Sequence, residues 1–166
     1  NPCSEIVLRS AQFCNLTEIV VRPEDTLETL KIKVEAATVL GTLQSSLTDF
    51  RFLRKVWKNN CEEERLLGVS LTGLWDRLDP ITEDDLLQLK THAINVNGEW
   101  AERLKINPST AITCVKPSGT VSQLVNSASG CHPRHSKFYI RRVRNDIKDP
   151  LAKVMIDAGV PYEVDN

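Results

Sequence analysis

The chain opens Asn1-Pro2-Cys3-Ser4-Glu5-Ile6, an amide, a thiol and a carboxylate within five residues. Pro2 narrows the backbone choices around it. In an extended segment alternate side chains share a face, so Asn1, Cys3 and Glu5 point the same way. That face offers a hydrogen-bonding amide, a reactive sulfur and a general base. On spacing alone the same residues also describe an ordinary loop with a buried cysteine. A second group, Lys116-Pro117-Ser118-Gly119-Thr120, interrupts an apolar run just before a short helical stretch. A strand–turn–helix with such a turn suits an anion, because free N–H groups and the helix dipole favour phosphate. Ser, Thr and Gly also cap helices without binding anything. Cys131-His132-Pro133-Arg134-His135 gathers one sulfur and two imidazoles. Pro133 and the lack of a second ligand cluster argue against a zinc site there, so no metal is expected.

These groups need elements to position them. Cys14 to Val21 is β-branched and partly alternating, which predicts a strand closed by Pro23. From about Glu24 to Leu47, Leu27, Leu30, Val34, Ala37, Leu40 and Leu43 recur at helical spacing, with Asp25 or Thr26 as the cap. Glu62-Glu63-Glu64 is a solvated face or a helix start. Leu66 to Leu71 reads as a buried strand. Thr82 with Asp85 marks a helix start, and Leu86, Leu89, Ala93, Val96 and Trp100 fall near one face of that helix. Ala111 to Val115 predicts a third strand and Phe138 to Arg144 a fourth. Arg141, Arg142 and Arg144, with Lys137, read as the polar face of that fourth strand. Asp149-Pro150 starts a last helix that Gly159 ends. Strands alternating with helices predict an α/β fold with parallel strands and crossover helices.

Composition narrows the function classes. The 166 residues carry 21 Lys plus Arg against 22 Asp plus Glu, a net charge of −1. No global field therefore exists for gripping nucleic acid or an anionic membrane. No apolar run approaches the ~18 residues of a membrane span, and no signal peptide opens the chain. Five cysteines, odd in number and without a CxxC pair, suit a reducing compartment, so a cytoplasmic protein is expected.

Asn-Pro-Cys-x-Glu-Ile, with Cys14-Asn15-Leu16 eleven residues after Cys3, resembles the active-site loop of ribonucleotide reductases. Arg65 to Leu74 is similar to an internal strand of that family, and Lys116 to Ser122 to its substrate phosphate loop. The run from Ser127 through His132-Pro133-Arg134-His135 to Arg144 resembles the adenosylcobalamin-dependent (class II) branch in particular. The motifs come in the family's order and span nearly the whole chain.

The resemblance implies a ten-stranded α/β barrel with the reactive cysteine on an inner loop. Residues 1–166 would be a single partial domain, the later part of that barrel, truncated at both ends. The remainder of the reductase chain would supply the earlier strands, any effector site and a terminal cysteine pair. By the same resemblance, Cys3 would be the thiyl radical that takes the ribose 3′-hydrogen, Glu5 the base for the 3′-hydroxyl, and Asn1 a hydrogen-bonding partner of the sugar. Cys14 would be one of two reducing thiols, its partner lying upstream. Pro117, Ser118, Gly119, Thr120 and Val121 would bind the phosphates of a ribonucleoside di- or triphosphate. Cys61, Cys114 and Cys131 hold no motif position and read as structural. Adenosylcobalamin would start the radical, and a thioredoxin-like dithiol would restore the thiols. Two other readings stand beside this one: a non-catalytic nucleotide-binding domain, and a reductase served by a separate radical-generating subunit.

Overall fold

The computed structural model describes residues 4–164. One compact unit runs up to Arg134 and a second begins at His135. The first holds two strands, β1 (Asn15–Val20) and β2 (Leu67–Thr72), paired parallel in the register Asn15↔Leu67 through Val20↔Thr72. A parallel pair cannot be joined by a tight turn. The chain crosses over through helices α1 (Leu27–Ser45) and α2 (Lys55–Glu64). Helix α3 (Glu83–Leu104) follows β2 and packs on α1. The α/β class and the parallel strands are as the sequence predicts.

Caps set the helix starts. Thr26 and Thr29 exchange side-chain and backbone hydrogen bonds of 2.9 and 3.3 Å at the head of α1, and Thr82 and Asp85 do the same at 3.0 and 3.1 Å for α3. The core lies between sheet and helices: Ile19, Val21 and Val69 meet Leu30, Val34 and Ala37 of α1 and Leu89 and Ala93 of α3. Leu30 is fully buried, worth about 1.5–3 kcal/mol of transfer free energy.

Several expectations are corrected. Leu40 and Leu43 are exposed; the inner side of α1 is instead Ala37, Thr38, Gly41, Thr42 and Ser45. A Cβ at Gly41 would stand 3.4 Å from Leu67, in ordinary contact, so α1 and β2 are packed here with room for a small residue. The hydroxyls of Thr38, Thr42 and Ser45 donate to helix carbonyls at 2.7, 2.8 and 2.7 Å, which satisfies them in the core. Glu62, Glu63 and Glu64 end a helix rather than begin one. The segment 111–115 runs beside β2, but with a single parallel bridge, Val69↔Thr113. Val69 donates to Ile112 O at 2.8 Å, and Cys114 donates to Val69 O at 3.0 Å.

In the second unit, Phe138 to Arg144 is not a strand. Phe138, Ile140 and Val143 are exposed, and no neighbouring strand pairs with the segment among the described residues. A strand without a ladder has nothing to hold it extended. Helix α5 (Pro150–Asp157) is capped by Asp149, which accepts from Leu151 N at 2.8 Å, and Gly159 at φ +80° ends it as expected.

Asp25 ties the end of β1 to α1. It accepts from Arg22 N at 2.7 Å, Thr29 Oγ1 at 2.9 Å and Lys33 Nζ at 2.5 Å. Burial pushes its carboxyl up, but these donors together hold it below the usual carboxylate range. Its folded value thus lies below its unfolded one. The stability it contributes is present above the ordinary carboxylate value of 3.8 and is lost as pH falls through the folded value. Asp25→Asn should cost about 1–2 kcal/mol at pH 7. Urea unfolding should show the gap from the unsubstituted protein closing as the pH drops below that window.

Candidate functional site

Alternation sends Ile19 and Val21 toward the helices and Leu16 and Glu18 to the opposite face of β1. Ile6 reaches the same face from the amino-terminal segment. Over Gly68 of β2, Leu16, Ile6 and Cys114 converge: a Cβ there would stand 2.7 Å from Ile6 Cδ1 and 3.0 Å from Cys114 Sγ. Glycine at 68 is what lets the 111–115 segment bring its thiol in.

Glu5 and Cys14 lie near enough to each other to interact electrostatically. Both are half-buried, and Glu5 Oε2 is buried without a hydrogen-bond partner among the described residues. Burial raises the Cys14 thiol first and the Glu5 charge adds to it, while Lys116 pulls the other way. Cys114 is pushed up to about 11 by burial, then by Glu5 and by Cys14, again against Lys116. A carboxylate, two protonated thiols and one ammonium thus share the face turned away from α1 and α3. Such a set can pass protons and hydrogen atoms while holding few thiolates. Asn1 and Cys3 lie outside the described residues.

The loop after 115 is built on the end of β2. Thr72 Oγ1 donates to Ala128 O at 3.0 Å and accepts from Gly130 N at 2.8 Å, and Gly73 N donates to Ala128 O at 2.9 Å. Asp76 accepts from Ala128 N at 2.6 Å and pairs with Arg134 at 3.0 Å. Ser129 Oγ donates to Pro117 O, and Gly130, at φ +55°, lies against the Lys116 carbonyl, where a side chain has no room. From this frame rises helix α4 (Gly119–Leu124). Gly119, Thr120 and Val121 are exposed, with open space where a Gly119 side chain would be. Pro117 is exposed as well. Ser118 differs: it is buried, sits at φ +49°, and donates its hydroxyl to Glu18.

Two residues of this site escape a reading by motif. Cys114 reads as structural, yet it stands beside Glu5 and Cys14. Glu18 carries no signal beyond its place on the even-numbered face of a predicted strand. His132 and His135 are exposed, and no group of three or more His, Cys, Asp or Glu is placed to hold a metal ion among the described residues. A cavity of about 420 Å³ is lined by Val34, Leu71, Leu89, Lys90 and Cys114, among others; it thus reaches one residue of this site but neither Glu5, Cys14 nor the 117–121 loop. No helix among the described residues is long and apolar enough to cross a membrane.

No protein-family model matches the chain. It is 27% identical, over 99% of its length, to an adenosylcobalamin-dependent ribonucleoside-triphosphate reductase of Lactobacillus gasseri, of which it covers 26%. It is 32% identical, over 98% of its length, to a probable adenosylcobalamin-dependent ribonucleoside-triphosphate reductase of Dictyostelium discoideum, covering 22% of it. The fold matches the crystal structure of a B12-dependent (class II) ribonucleotide reductase with a TM-score of 0.56 and 26% identity, over 80% of this chain and 22% of that one. The chain spans about a quarter of the length of the curated relatives it matches. The resemblance carried by the motifs thus extends along almost the entire sequence, to the class II branch in particular.

Glu5→Gln removes the negative charge that disfavours both neighbouring thiolates, so both thiols should titrate lower than in the unsubstituted protein. Iodoacetamide labelling followed by peptide mass spectrometry should show Cys114 reacting slowly until the pH nears 11. In the variant that rise should come at lower pH, with the exposed Cys131 as the accessible reference.

Proposed function

We propose that this chain carries part of the catalytic site of an adenosylcobalamin-dependent ribonucleotide reductase, which converts ribonucleotides to 2′-deoxyribonucleotides and so supplies DNA precursors. The observation that supports this most is the similarity of the chain, over 99% of its length, to such reductases, with Glu5 and Cys14 of its motif close enough to interact electrostatically.

In this reading Cys3, as a thiyl radical, takes the 3′-hydrogen of the ribose. Glu5 accepts the 3′-hydroxyl proton; its oxygen without a partner among the described residues suits a group that waits for a substrate hydroxyl. Asn1 holds the sugar hydroxyls in register. The 2′-hydroxyl leaves as water, and Cys14 with a second thiol supplies two electrons, closing to a disulfide. Cys3 then returns a hydrogen atom to C3′. Burial and the Glu5 charge raise the Cys14 thiol, which favours its protonated form, the form from which hydrogen is delivered; its partner thiol would lie upstream. The loop of Pro117, Ser118, Gly119, Thr120 and Val121 receives the substrate phosphates, with its exposed residues facing the ligand. The triphosphate is favoured as substrate, since the relatives are named for it.

Adenosylcobalamin supplies the radical through its cobalt–carbon bond. The Cys3 thiol would be the group that gives up a hydrogen atom when that cofactor is bound, and the thiols and carboxylate of this face would do the chemistry that follows. A thioredoxin-like dithiol in a reducing cytoplasm would reopen the Cys14 disulfide. The sheet order β1, β2, 111–115 leaves outer edges without strand partners among the described residues. That suits a section of a larger barrel completed by further chain; the isolated 166 residues would then be inactive.

The decisive experiment mixes the complete protein with labelled ribonucleotide, adenosylcobalamin and a dithiol. Deoxynucleotide should form, and cob(II)alamin should appear in the absorbance spectrum. Cys3→Ser should abolish turnover while nucleotide still binds, and Glu5→Gln should cut it by about 10²-fold or more. Cys14→Ser should permit at most a partial first turnover. Nucleotide binding without any product would favour the non-catalytic reading instead.

A further inference from the structure

We propose that Glu18 is a positioning residue for the 117–121 loop, an inference that rests on reading this loop as the seat of the substrate phosphates. Glu18 stands on β1, on the face turned away from α1 and α3, four residues past Cys14. One carboxylate oxygen accepts the Ser118 hydroxyl, joining residues 100 apart in sequence. The other is buried without a hydrogen-bond partner among the described residues. Burying a carboxylate only half satisfied is unfavourable, so the contact is kept against a cost.

Ser118 is equally unusual. A serine at a helix N-cap ordinarily accepts a hydrogen bond from the first turn. Here the hydroxyl makes no such bond and points down to Glu18, with Ser118 3% exposed and φ at +49°. Non-glycine residues seldom adopt that backbone region. The tether turns the chain at Ser118 so that Gly119, Thr120 and Val121 emerge exposed. It also ties the loop to the strand that Cys14 precedes, and so fixes the distance between phosphate seat and reducing thiol.

Glu18 acts in two separable ways. As an acceptor it orders the loop. As a charge it opposes an incoming phosphate and the Cys114 thiolate, with Lys116 offsetting it on the same face. Glu18→Gln keeps an acceptor and removes the charge, whereas Glu18→Val removes both.

The test uses the complete protein, with CTP and inorganic tripolyphosphate as probes in calorimetric titrations, and with the KM for CTP measured in turnover. Glu18→Val should weaken both probes by about tenfold, the scale of one hydrogen bond to a charged group. KM should rise by a similar factor, with kcat within about twofold, because a loop that only holds phosphates acts on binding. Glu18→Gln should bind as tightly as the unsubstituted protein or more tightly. Ser118→Ala should match Glu18→Val, and the double variant should be no worse than either single one. Unchanged binding in Glu18→Val overturns the inference. So do equal losses in the Gln and Val variants, or additive losses in the double variant. Should Glu18→Val fail to fold, Glu18→Gln and Ser118→Ala decide: the inference falls unless the first preserves binding and the second weakens it. Absence of nucleotide binding by the unsubstituted protein overturns the phosphate-loop reading, and this inference with it. Binding that Glu18→Val leaves untouched overturns this inference alone.

Discussion

The parallel pairing of Asn15–Val20 with Leu67–Thr72 is the constraint from which the rest follows. Parallel neighbours demand a crossover, and the crossover must cover one face of the sheet. Here α1 and α3 take that face and its apolar side chains. The other face carries only a small apolar contact, Ile6 and Leu16 over Gly68, and beside it gather Glu5, Cys14, Glu18 and Cys114. The period of two along each strand thus sorts stability to one side and chemistry to the other.

Small residues make this sorting tight. Gly41 and its neighbours let α1 settle on β2, and Gly68 lets a thiol lie where a Cβ would otherwise be. At Gly68 the absence of a side chain decides how close the 111–115 segment comes, since a Cβ there would collide with Leu16. The buried threonine and serine hydroxyls of α1 add no orphaned donors, because each turns back onto its own helix.

Much of this was legible in the sequence, for identifiable reasons. The capping residues Thr26, Thr82 and Asp149 announced three helices, and β-branched runs announced β1 and β2. Helix α2 was hidden because it buries only Cys61 and so writes no apolar period. The exposure of Leu40 and Leu43 was hidden because periodicity finds an apolar stripe but cannot tell it from a neighbouring stripe of Ala, Thr and Gly. Phe138 to Arg144 has strand composition and no strand beside it; pairing partners are a property of the surroundings, not of the segment. At the site, Glu5 and Cys14 were legible through their motif. Cys114 and Glu18 were not, since their roles depend on register between segments about a hundred residues apart.

The loop rising from Lys116 and returning at Gly130 has both feet on one spot of the sheet. Ser129 is bonded to Pro117, and Gly130 is pressed against the carbonyl of Lys116. Such a loop behaves as a cassette on a closed stem. Its exposed residues, Gly119, Thr120 and Val121, can be exchanged without touching that stem or the Ser118 tether. Ligand preference can therefore drift in this scaffold while the sulfur chemistry below stays in place.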